Sequence, residues 1–350
     1  MTVAGVLLAA GAGTRYDGAV HKLRATIDER TVLAHSLTAV MDSSVDEVIF
    51  VYGDDDYADV IEAIGVQDDS RLTTIHAPDW EQGQAHSLAI GIERARLAGH
   101  DAIVVGLADQ PLVGSQTWTD LANTPASIAV ANYEGARRPP TRLAAQVWDR
   151  IPTTGDQGAR RLLIDEATNV VDVLSAGWPD DVDTPVALER VRQLHTDHRR
   201  VAELLGREPM GSFEVVMRND AGDPVVLKNF PVLADGRPMP TLYWLCGERS
   251  TMLVGRLEAI GGVRRAEETV GLEAVNASHE RYAAERDQIL GQAGLELSHR
   301  PTDGVGGTRN GVKCLHAHYA YWLAGGDDPV GQWVALHLSE VGSPNWPAKD

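Results

Sequence analysis

An apolar segment that runs straight into a glycine-rich loop is the feature that most constrains the fold of this chain. Residues 3–8 are continuously apolar, as in a buried first strand, and residues 7–15 read Leu-Leu-Ala-Ala-Gly-Ala-Gly-Thr-Arg. Glycine adopts the positive φ angles that allow a tight turn and bring backbone N–H groups close to an anion. Arg15 and Lys22 add two mobile cations. We therefore expect this loop to bind the phosphates of a nucleoside triphosphate, assisted by the positive end of a helix that begins where the loop ends.

The spacing of the glycines excludes two better-known phosphate-binding loops. The dinucleotide-binding pattern G-x-G-x-x-G would start at Gly11 and Gly13, but its third glycine position is Tyr16. The pattern G-x-x-x-x-G-K-[ST] of P-loop ATPases does not occur in the chain. A glycine turn that binds nothing is the alternative for this loop taken by itself.

Short β-branched segments alternate with segments of helical periodicity from residue 3 to about residue 192. The predicted strands are residues 47–51, 72–76, 102–105, 127–130 and 169–173, and the clearest helices are residues 32–41 and 85–98. This alternation is typical of a three-layer α/β domain with a mostly parallel sheet. The continuously apolar run 102–107 indicates a strand that is covered on both faces. Ligands of such sheets bind at the carboxyl ends of the strands, where the glycine loop lies.

The composition and charge favour a cytoplasmic protein with no nucleic-acid or membrane partner. The 350 residues carry a formal net charge of −19, whereas nucleic acid and anionic membrane both attract a basic surface. The two cysteines, Cys246 and Cys314, fit a reducing compartment rather than a disulfide framework. The N-terminus lacks the basic segment of a signal peptide, and no apolar stretch is long enough to span a membrane.

Two carboxylates are candidate metal ligands. Asp109 follows the apolar run 102–107 in the sequence Gly-Leu-Ala-Asp-Gln-Pro, so we expect it at the carboxyl edge of the sheet. Asp183 lies in Asp-Asp-Val-Asp-Thr-Pro ahead of a predicted helix, where a role as a turn or N-cap residue is the alternative. Mg²⁺ prefers hard oxygen ligands and is usually held by one or two carboxylates together with substrate phosphates. Asp109 is therefore predicted to bind Mg²⁺, whereas for Asp183 taken by itself the cap is favoured over the ligand.

Four ordered motifs give the N-terminal half a family resemblance. They are the run L-A-A-G-x-G-x-R followed by a lysine, the W-x-x-G-x-x-x-S-L pattern within residues 79–88, the Gly-Asp-Gln-Gly-Ala-Arg segment at 155–160, and the pair of aspartate runs described above. Together they resemble the MobA-like branch of the sugar-nucleotidyltransferase superfamily, whose members attach CMP or GMP to molybdopterin. The resemblance implies a Rossmann-like nucleotidyltransferase fold and an enzyme of the nucleotidyltransferase class.

The resemblance also implies roles for individual residues. Arg15, Lys22 and Asp109 would be catalytic, and Asp109 and Asp183 would bind Mg²⁺. Nucleotide binding is implied for residues of the glycine loop and of the second motif, namely Leu8, Ala9, Ala10, Gly11, Ala12, Gly13, Thr14, Gly83 and Ser87. The implied substrates are a nucleoside triphosphate, CTP or GTP, and a phosphorylated small-molecule acceptor.

Two segments bear on the choice of substrate. Residues 155–160 look like the corresponding segment of the molybdopterin cytidylyltransferase subgroup. This resemblance favours CTP as the donor and molybdopterin as the acceptor. On the acceptor side that subgroup has a Gly-His-Pro segment, where this chain reads Arg138-Pro139-Pro140. A different acceptor, such as a phospholactate or a sugar phosphate with GTP, is therefore the alternative.

The alternation of predicted strands and helices ends near residue 200. We therefore expect two domains, residues 1–198 and 199–350. From about residue 204 onward the chain resembles DUF501, a family without an established activity. The segments that carry this resemblance are residues 233–246, 255–259, 311–320 and 323–331. We expect an α+β fold for this second domain.

Cys314, His316 and His318 alternate along the chain and, with Cys246, form the most suggestive cluster of the second domain. On a strand the three alternating side chains would share a face that suits Zn²⁺, whereas on a helix only Cys314 and His318 would share one. The glycine pair at 325–326 stops a helix and favours the second case. We favour a buried cysteine and hydrogen-bonded histidines over a metal site.

Two further interpretations stay open for the second domain. The loop 304–309, Gly-Val-Gly-Gly-Thr-Arg, could bind a phosphate through successive backbone N–H groups or be a turn without a ligand. The N-terminal domain could also keep a nucleotide pocket without catalysis. It would then act as a scaffold for a metal- or thiol-dependent C-terminal domain.

Overall fold

The computed structural model describes residues 1–11, 13–239, 241–295, 297 and 299–342. The chain divides into two compact units, Met1–His195 and Thr196–Asp350. Within these described ranges, no helix combines the length and the apolar character that crossing a membrane requires.

The first unit alternates strands and helices, as the sequence predicts. Its strands are β1 Val3–Ala9, β2 Thr26–Ile27, β3 Arg30–Thr31, β4 Glu47–Tyr52, β5 Leu72–His76, β6 Ala102–Leu107, β7 Ile128–Tyr133, β8 Ala136–Ala144 and β9 Val171–Leu174. Its helices are α1 Val32–Met41, α2 Ala58–Ala63, α3 Gln84–Leu97, α4 Ser115–Asn123, α5 Arg160–Asp165 and α6 Pro185–Leu205, the last of which continues into the second unit. Short 3₁₀ helices span Lys22–Arg24, Trp80–Gln82 and Ala145–Arg150.

A mostly parallel sheet forms the centre of the first unit, in the order β5-β4-β1-β6-β8-β7-β9. β1 lies between β4 and β6 and is parallel to both, while β8 is antiparallel to β6 and β7. Val3 pairs with Ala102 and Leu8 pairs with Leu107, so β1 and β6 end at the same edge. The predicted Rossmann-like α/β fold is therefore confirmed, and the loops after β1 and β6 emerge side by side.

Hydrophobic cores cover both faces of this sheet. Successive residues of a strand point to opposite faces, so Leu7 packs in one core and Val6 in the other. Side chains of α1 and α4 complete the first core, and side chains of α3 complete the second. Covering on both faces explains why β6 is apolar at every position, as the run 102–107 predicts.

The prediction of a helix at the end of the glycine loop is wrong. The loop ends in a single 3₁₀ turn at Lys22–Arg24, the β2–β3 hairpin follows, and the first α-helix begins at Val32. Thr31 caps that helix, because its Oγ1 atom accepts a hydrogen bond from the Ala34 N–H at 3.1 Å. Residues 16–21 lack the apolar spacing that a helix needs in order to pack. Phosphate contacts at the end of the loop would therefore come from backbone N–H groups and side-chain cations.

The second unit is α+β, as expected. Its antiparallel sheet contains β10 Phe213–Arg218, β11 Pro224–Asn229 and β12 Tyr243–Leu245. Its α-helices are α7 Glu248–Ala259, α8 Gly262–Val270, α9 Leu272–Ala293, α10 Leu315–Leu323 and α11 Pro329–His337, with 3₁₀ turns at Val305–Gly307 and Leu338–Glu340. The position of α10 confirms the helical interpretation of the segment that holds Cys314, His316 and His318.

Gly91 allows α3 to pack closely on β1, because a Cβ atom at this position would lie 2.7 Å from Val6 Cγ1. We expect Gly91→Val to overpack this contact and to lower the free energy of unfolding of the first unit by about 1–3 kcal/mol. Urea-induced unfolding followed by circular dichroism measures the change. Gly291→Ala is the matched control, because this helical glycine of α9 has open space at its Cβ position and the change should stabilise by up to about 1 kcal/mol. Unchanged stability of Gly91→Val would contradict the packing argument.

Candidate active site

The first predicted nucleotide-binding residues form the end of β1. Leu8 and Ala9 are buried in the cores on opposite faces of the sheet, and Ala10 is buried just beyond the strand. Their side chains pack the domain, so only their backbone groups could face a ligand. The Leu8 carbonyl accepts a hydrogen bond from the Ala108 N–H at 3.0 Å, which ties the start of this loop to the loop after β6.

The exposed part of the glycine loop folds around His21. Gly11 and Thr14 are exposed, and Ala12 lies outside the described residues. His21 Nε2 is 3.3 Å from the Gly11 carbonyl oxygen, and burial lowers the pKa of this ring. Gly13 has φ +61°, and a Cβ atom there would lie 3.0 Å from His21 Nε2. Glycine at position 13 therefore satisfies both a left-handed backbone and the close approach of His21.

Lys22 joins the two predicted metal ligands. Its Nζ atom donates hydrogen bonds to Asp109 Oδ2 at 2.5 Å and to Asp183 Oδ1 at 2.8 Å. Arg15 contacts the other oxygen of Asp183, with 2.8 Å between Nη2 and Oδ2. The structure thus brings together the four charged residues that the sequence singles out, although they come from three distant parts of the chain.

Asp109 is positioned by the loop after β6. Its carbonyl accepts a hydrogen bond from the Val182 N–H at 2.9 Å. The neighbouring Gln110 side-chain amide donates to the Pro179 carbonyl oxygen at 3.1 Å. These two bonds, one between backbone groups and one from a side-chain amide, tie the Asp109 loop to the segment that carries Asp183.

Asp183 does not cap helix α6. Thr184 takes that role, because its Oγ1 atom accepts a hydrogen bond from the Ala187 N–H at 3.1 Å, and Pro185 occupies the first helical position. The Asp183 side chain is thereby left to face Lys22. The N-cap alternative that the sequence offered for Asp183 is therefore wrong.

The electrostatics of this cluster favour a charged lysine. Burial alone would lower the pKa of Lys22, but the charges and hydrogen bonds of Asp109 and Asp183 outweigh it and raise the pKa. The lysine side chain is 11% exposed, and the two carboxylate side chains are 16% and 24% exposed. The ammonium group therefore compensates both carboxylates in surroundings with little water.

Sequence reasoning misses a third carboxylate of the cluster, Asp181. Loss of surrounding water and the nearby charge of Asp109 raise the pKa of Asp181 to about 6. The available signal was the acidic run 180–183, in which Asp181 stands two positions before Asp183. The shift therefore reflects first the burial of Asp181 and then the charge of Asp109.

The cluster has donors that suit a divalent cation. Asp109 Oδ2 and Asp183 Oδ1 converge on one ammonium group, and Asp109 Oδ1 is buried without a hydrogen-bond partner among the described residues. Across the same part of the chain, no three His, Cys, Asp or Glu side chains are arranged to hold a metal by themselves. Mg²⁺ commonly binds one or two carboxylates and completes its shell with water and substrate phosphates. The residues present therefore fit a substrate-completed Mg²⁺ site.

The second predicted nucleotide-binding motif is held against the segment that begins at Gly155. The Ala85 N–H donates to the Gly155 carbonyl at 2.9 Å, and the Gly155 N–H donates to the Gln82 carbonyl at 2.9 Å. Gly83 lies between these bonds with φ +102°, and a Cβ atom there would be 2.6 Å from the Gly155 carbonyl group. Ser87 is buried in the first turns of α3. Two motifs that are distant in the sequence therefore form one structural unit.

Trp80 links this second motif to the glycine loop. A Cβ atom at Gly53, the residue after β4, would lie 2.9 Å from the Trp80 ring and 3.1 Å from the Ala10 carbonyl oxygen. The absence of a side chain at Gly53 therefore lets the tryptophan and the loop approach each other. Both predicted nucleotide-binding motifs lie at the carboxyl edge of the sheet.

A shallow depression adjoins the Asp109 loop. It is lined by Ser36, Leu107, Gln110, Val113, Trp118 and Pro140. Pro140 belongs to the segment Arg138-Pro139-Pro140, in which this chain departs from the Gly-His-Pro of the resembling subgroup. Pro140 keeps the proline of the subgroup's segment, and the departing residues Arg138 and Pro139 are not among these lining residues.

The histidines of α10 have separate partners. His316 Nδ1 lies 3.2 Å from Glu258 Oε1, and its Nε2 lies 3.1 Å from the Thr251 carbonyl oxygen. His318 is fully buried, with Nδ1 2.7 Å from Asp328 Oδ2. The structure therefore does not bring the two rings together on one ligand.

The cysteines of the second unit are poorly suited to thiolate chemistry. Burial raises the pKa of Cys246 to about 12 and also raises the pKa of Cys314. Thiols with raised pKa values are weak nucleophiles and weak metal ligands at neutral pH. In the 304–309 loop, Arg309 Nε lies 2.6 Å from Asp303 Oδ1, so that cation already has an anionic partner.

Two family models match the chain. Residues 5–170 match the MobA-like NTP transferase domain, and residues 215–336 match DUF501, a protein family of unknown function. The first match contains the glycine loop and Asp109, and Asp183 lies beyond its end.

Several known proteins are similar to the first half of the chain. Purine catabolism protein PucB of Bacillus subtilis (strain 168) is 32% identical over 206 residues, which cover 54% of this chain and 95% of PucB. Bifunctional protein GlmU of Rhodococcus opacus (strain B4) is 30% identical over 159 residues, and the chain spans only 31% of its length, with 43% of the chain covered. The crystal structure of Rv0371c from Mycobacterium tuberculosis H37Rv has 25% sequence identity and a TM-score of 0.47, covering 55% of this chain and 97% of that one.

The His316–Glu258 contact makes the stability of the second unit depend on pH. Burial opposes a charged ring, but Glu258 outweighs it and raises the pKa of His316 above 6.5. The stabilisation is fully present below pH 6.5 and is lost as the pH rises through the folded-state pKa. His316→Gln should therefore lower the free energy of unfolding at about pH 5.5 and much less at about pH 9. Urea unfolding at both pH values measures this.

Glu258→Gln is the matched control for this prediction. It removes the carboxylate that raises the pKa and leaves the opposing effect of burial, so adding His316→Gln to it should no longer cost more stability at about pH 5.5 than at about pH 9. A single His316→Gln variant that loses as much stability at about pH 9 as at about pH 5.5 would contradict the assignment.

Proposed function

The chain belongs to the MobA-like NTP transferase family and is a nucleotidyltransferase, and on that premise we propose that it transfers CMP from CTP to molybdopterin and releases pyrophosphate. We propose Mg²⁺ as its metal ion and residues 1–198 as the transferase domain. Residues 199–350 would form a second domain whose part in the reaction is unassigned.

The convergence of Lys22, Asp109 and Asp183 is the observation that carries this proposal. Lys22 Nζ contacts both carboxylates, and all three side chains lie where β1 and β6 end. A polyphosphate needs cations and backbone N–H groups, and a metal ion needs carboxylates. The cluster and the glycine loop supply both at one edge of the sheet.

Nucleotidyl transfer by this site requires positioning and charge more than proton transfer. A phosphate oxygen of the acceptor attacks the α-phosphorus of the triphosphate in line, the new P–O bond forms, and the bond to pyrophosphate breaks. A phosphate nucleophile is already ionised at neutral pH, so no side-chain base is needed. Arg15 and the loop N–H groups would bind the β- and γ-phosphates, and Lys22 would bind the α-phosphate or the acceptor.

Asp109 and Asp183 are the residues that would hold Mg²⁺. When bound, the ion would supply positive charge that stabilises the negative charge developing on the phosphate oxygens. Asp109 Oδ1, which is buried without a hydrogen-bond partner in the described structure, would gain a partner in that state. Asp181, which interacts electrostatically with Asp109 and Asp183, would add negative charge when ionised and so favour a cation at this edge.

The preference for CTP rests on the segment that begins at Gly155. This segment resembles that of molybdopterin cytidylyltransferases, and its hydrogen bonds to Gln82 and Ala85 hold it beside the second nucleotide-binding motif. The acceptor is the less constrained substrate, because Arg138 and Pro139 replace the first two residues of the subgroup's Gly-His-Pro segment. GTP with a phospholactate or a sugar phosphate as acceptor is therefore the alternative within the same reaction class.

Replacing Asp109 with Asn should abolish most of the activity while the fold is retained. The variant keeps the shape of the side chain but loses the charge that faces the cation, so turnover should fall by about 100-fold or more. Pyrophosphate release with Mg²⁺ and each of CTP, GTP, ATP and UTP, with and without molybdopterin, measures activity and base preference together.

Asp180→Asn is the matched control for this experiment. Asp180 belongs to the same acidic run, but it pairs with Arg190 at 2.7 Å rather than with Lys22. The activity of the Asp180→Asn variant should therefore stay near that of the unsubstituted chain. A folded Asp109→Asn variant with undiminished pyrophosphate release would contradict the proposed site.

A further inference from the structure

We infer that Lys22 is a resident counter-ion that keeps divalent cations out of the nucleotide-free site, so that the metal ion enters together with the nucleotide. The inference rests on the proposed function, because it concerns the same carboxylates and the same substrate. It adds a regulatory step that the proposed reaction does not require.

The geometry makes the ammonium group and a metal ion competitors. Lys22 Nζ lies 2.5 Å from Asp109 Oδ2 and 2.8 Å from Asp183 Oδ1, so one cation already occupies the space on which both oxygens converge. A divalent cation that used these two oxygens would have to displace it. Two cations in that space would also repel each other strongly, because little water is present to screen them.

Burial makes Lys22 the effective competitor rather than Arg15. The Lys22 side chain is 11% exposed, whereas the Arg15 side chain is 77% exposed and pairs with Asp183 Oδ2. Exposed ion pairs are weakened by water and salt, and buried ones much less so. Removing Arg15 should therefore change cation binding far less than removing Lys22.

A nucleoside triphosphate provides the means of release. Its phosphates carry several negative charges and would offer the flexible Lys22 side chain a second set of partners. Once Lys22 turns to a phosphate, Asp109 and Asp183 lose their compensating charge and attract a divalent cation. Asp109 Oδ1, buried and without a hydrogen-bond partner among the described residues, is available to the same cation. Nucleotide and metal should therefore strengthen each other's binding by the same factor.

The test is Mn²⁺ binding to the full chain without nucleotide, measured by calorimetry and by the electron paramagnetic resonance of free Mn²⁺. Lys22→Met removes the counter-ion and should bind Mn²⁺ roughly tenfold more tightly, or better, than the unsubstituted chain. Lys22→Arg keeps a cation and should stay weak, as should Arg15→Met with its counter-ion intact. Adding Asp109→Asn to Lys22→Met should abolish the gain.

A second neutral variant, Lys22→Gln, serves as a control for a folding defect in Lys22→Met. Circular dichroism of each protein checks that it is folded. Equal Mn²⁺ affinity of the unsubstituted chain and of a folded neutral variant would overturn the inference. Pyrophosphate release by the unsubstituted chain reports on the proposed function separately. Pyrophosphate release together with equal Mn²⁺ affinities would support the proposed reaction but overturn the counter-ion role of Lys22. Tighter Mn²⁺ binding by Lys22→Met would support the counter-ion even if none of the four nucleotides released pyrophosphate.

Discussion

The bridge from Lys22 to Asp109 and Asp183 is the interaction on which the organisation of the first unit's site depends. Two carboxylates with little exposure would repel each other at this distance without a cation between them. The lysine comes from the loop after β1, one aspartate from the loop after β6, and the other from the start of α6. One cation therefore joins three distant parts of the chain at the edge where the sheet presents its ligand site.

Much of this arrangement could be predicted from the sequence, because parallel strands end at one edge. The apolar runs at residues 3–8 and 102–107 place the glycine loop and Asp109 side by side, and β1 pairing with β6 agrees with this. The helix expected at the end of the loop was wrong, since a hairpin and a 3₁₀ turn intervene. Asp181 was not predicted, because its raised pKa comes first from burial in the folded chain and then from the charge of Asp109, which is distant in the sequence.

The second unit illustrates why its chemistry could not be predicted from spacing. The alternation of Cys314, His316 and His318 is compatible with side chains on one shared face or on different faces. Because His316 and His318 lie on helix α10, their side chains point in different directions. Each histidine contacts a carboxylate that the local sequence does not predict. Glu258, for example, precedes His316 by 58 residues. The contacts of His318 with Asp328 and of Ser278 with Asp328 build a buried polar network around the start of α11. Such a network stabilises a fold without identifying a ligand.

The location of Lys22 Nζ with and without ligands tests the central claim most directly. Crystal structures of the full chain, one free of nucleotide and one with CTP and Mg²⁺, would give it. The account predicts Lys22 between the two carboxylates in the first structure. In the second, it predicts Lys22 on a phosphate oxygen, with Asp109 and Asp183 on the metal ion. A lysine that stays between the carboxylates while nucleotide and metal ion are bound elsewhere would contradict it.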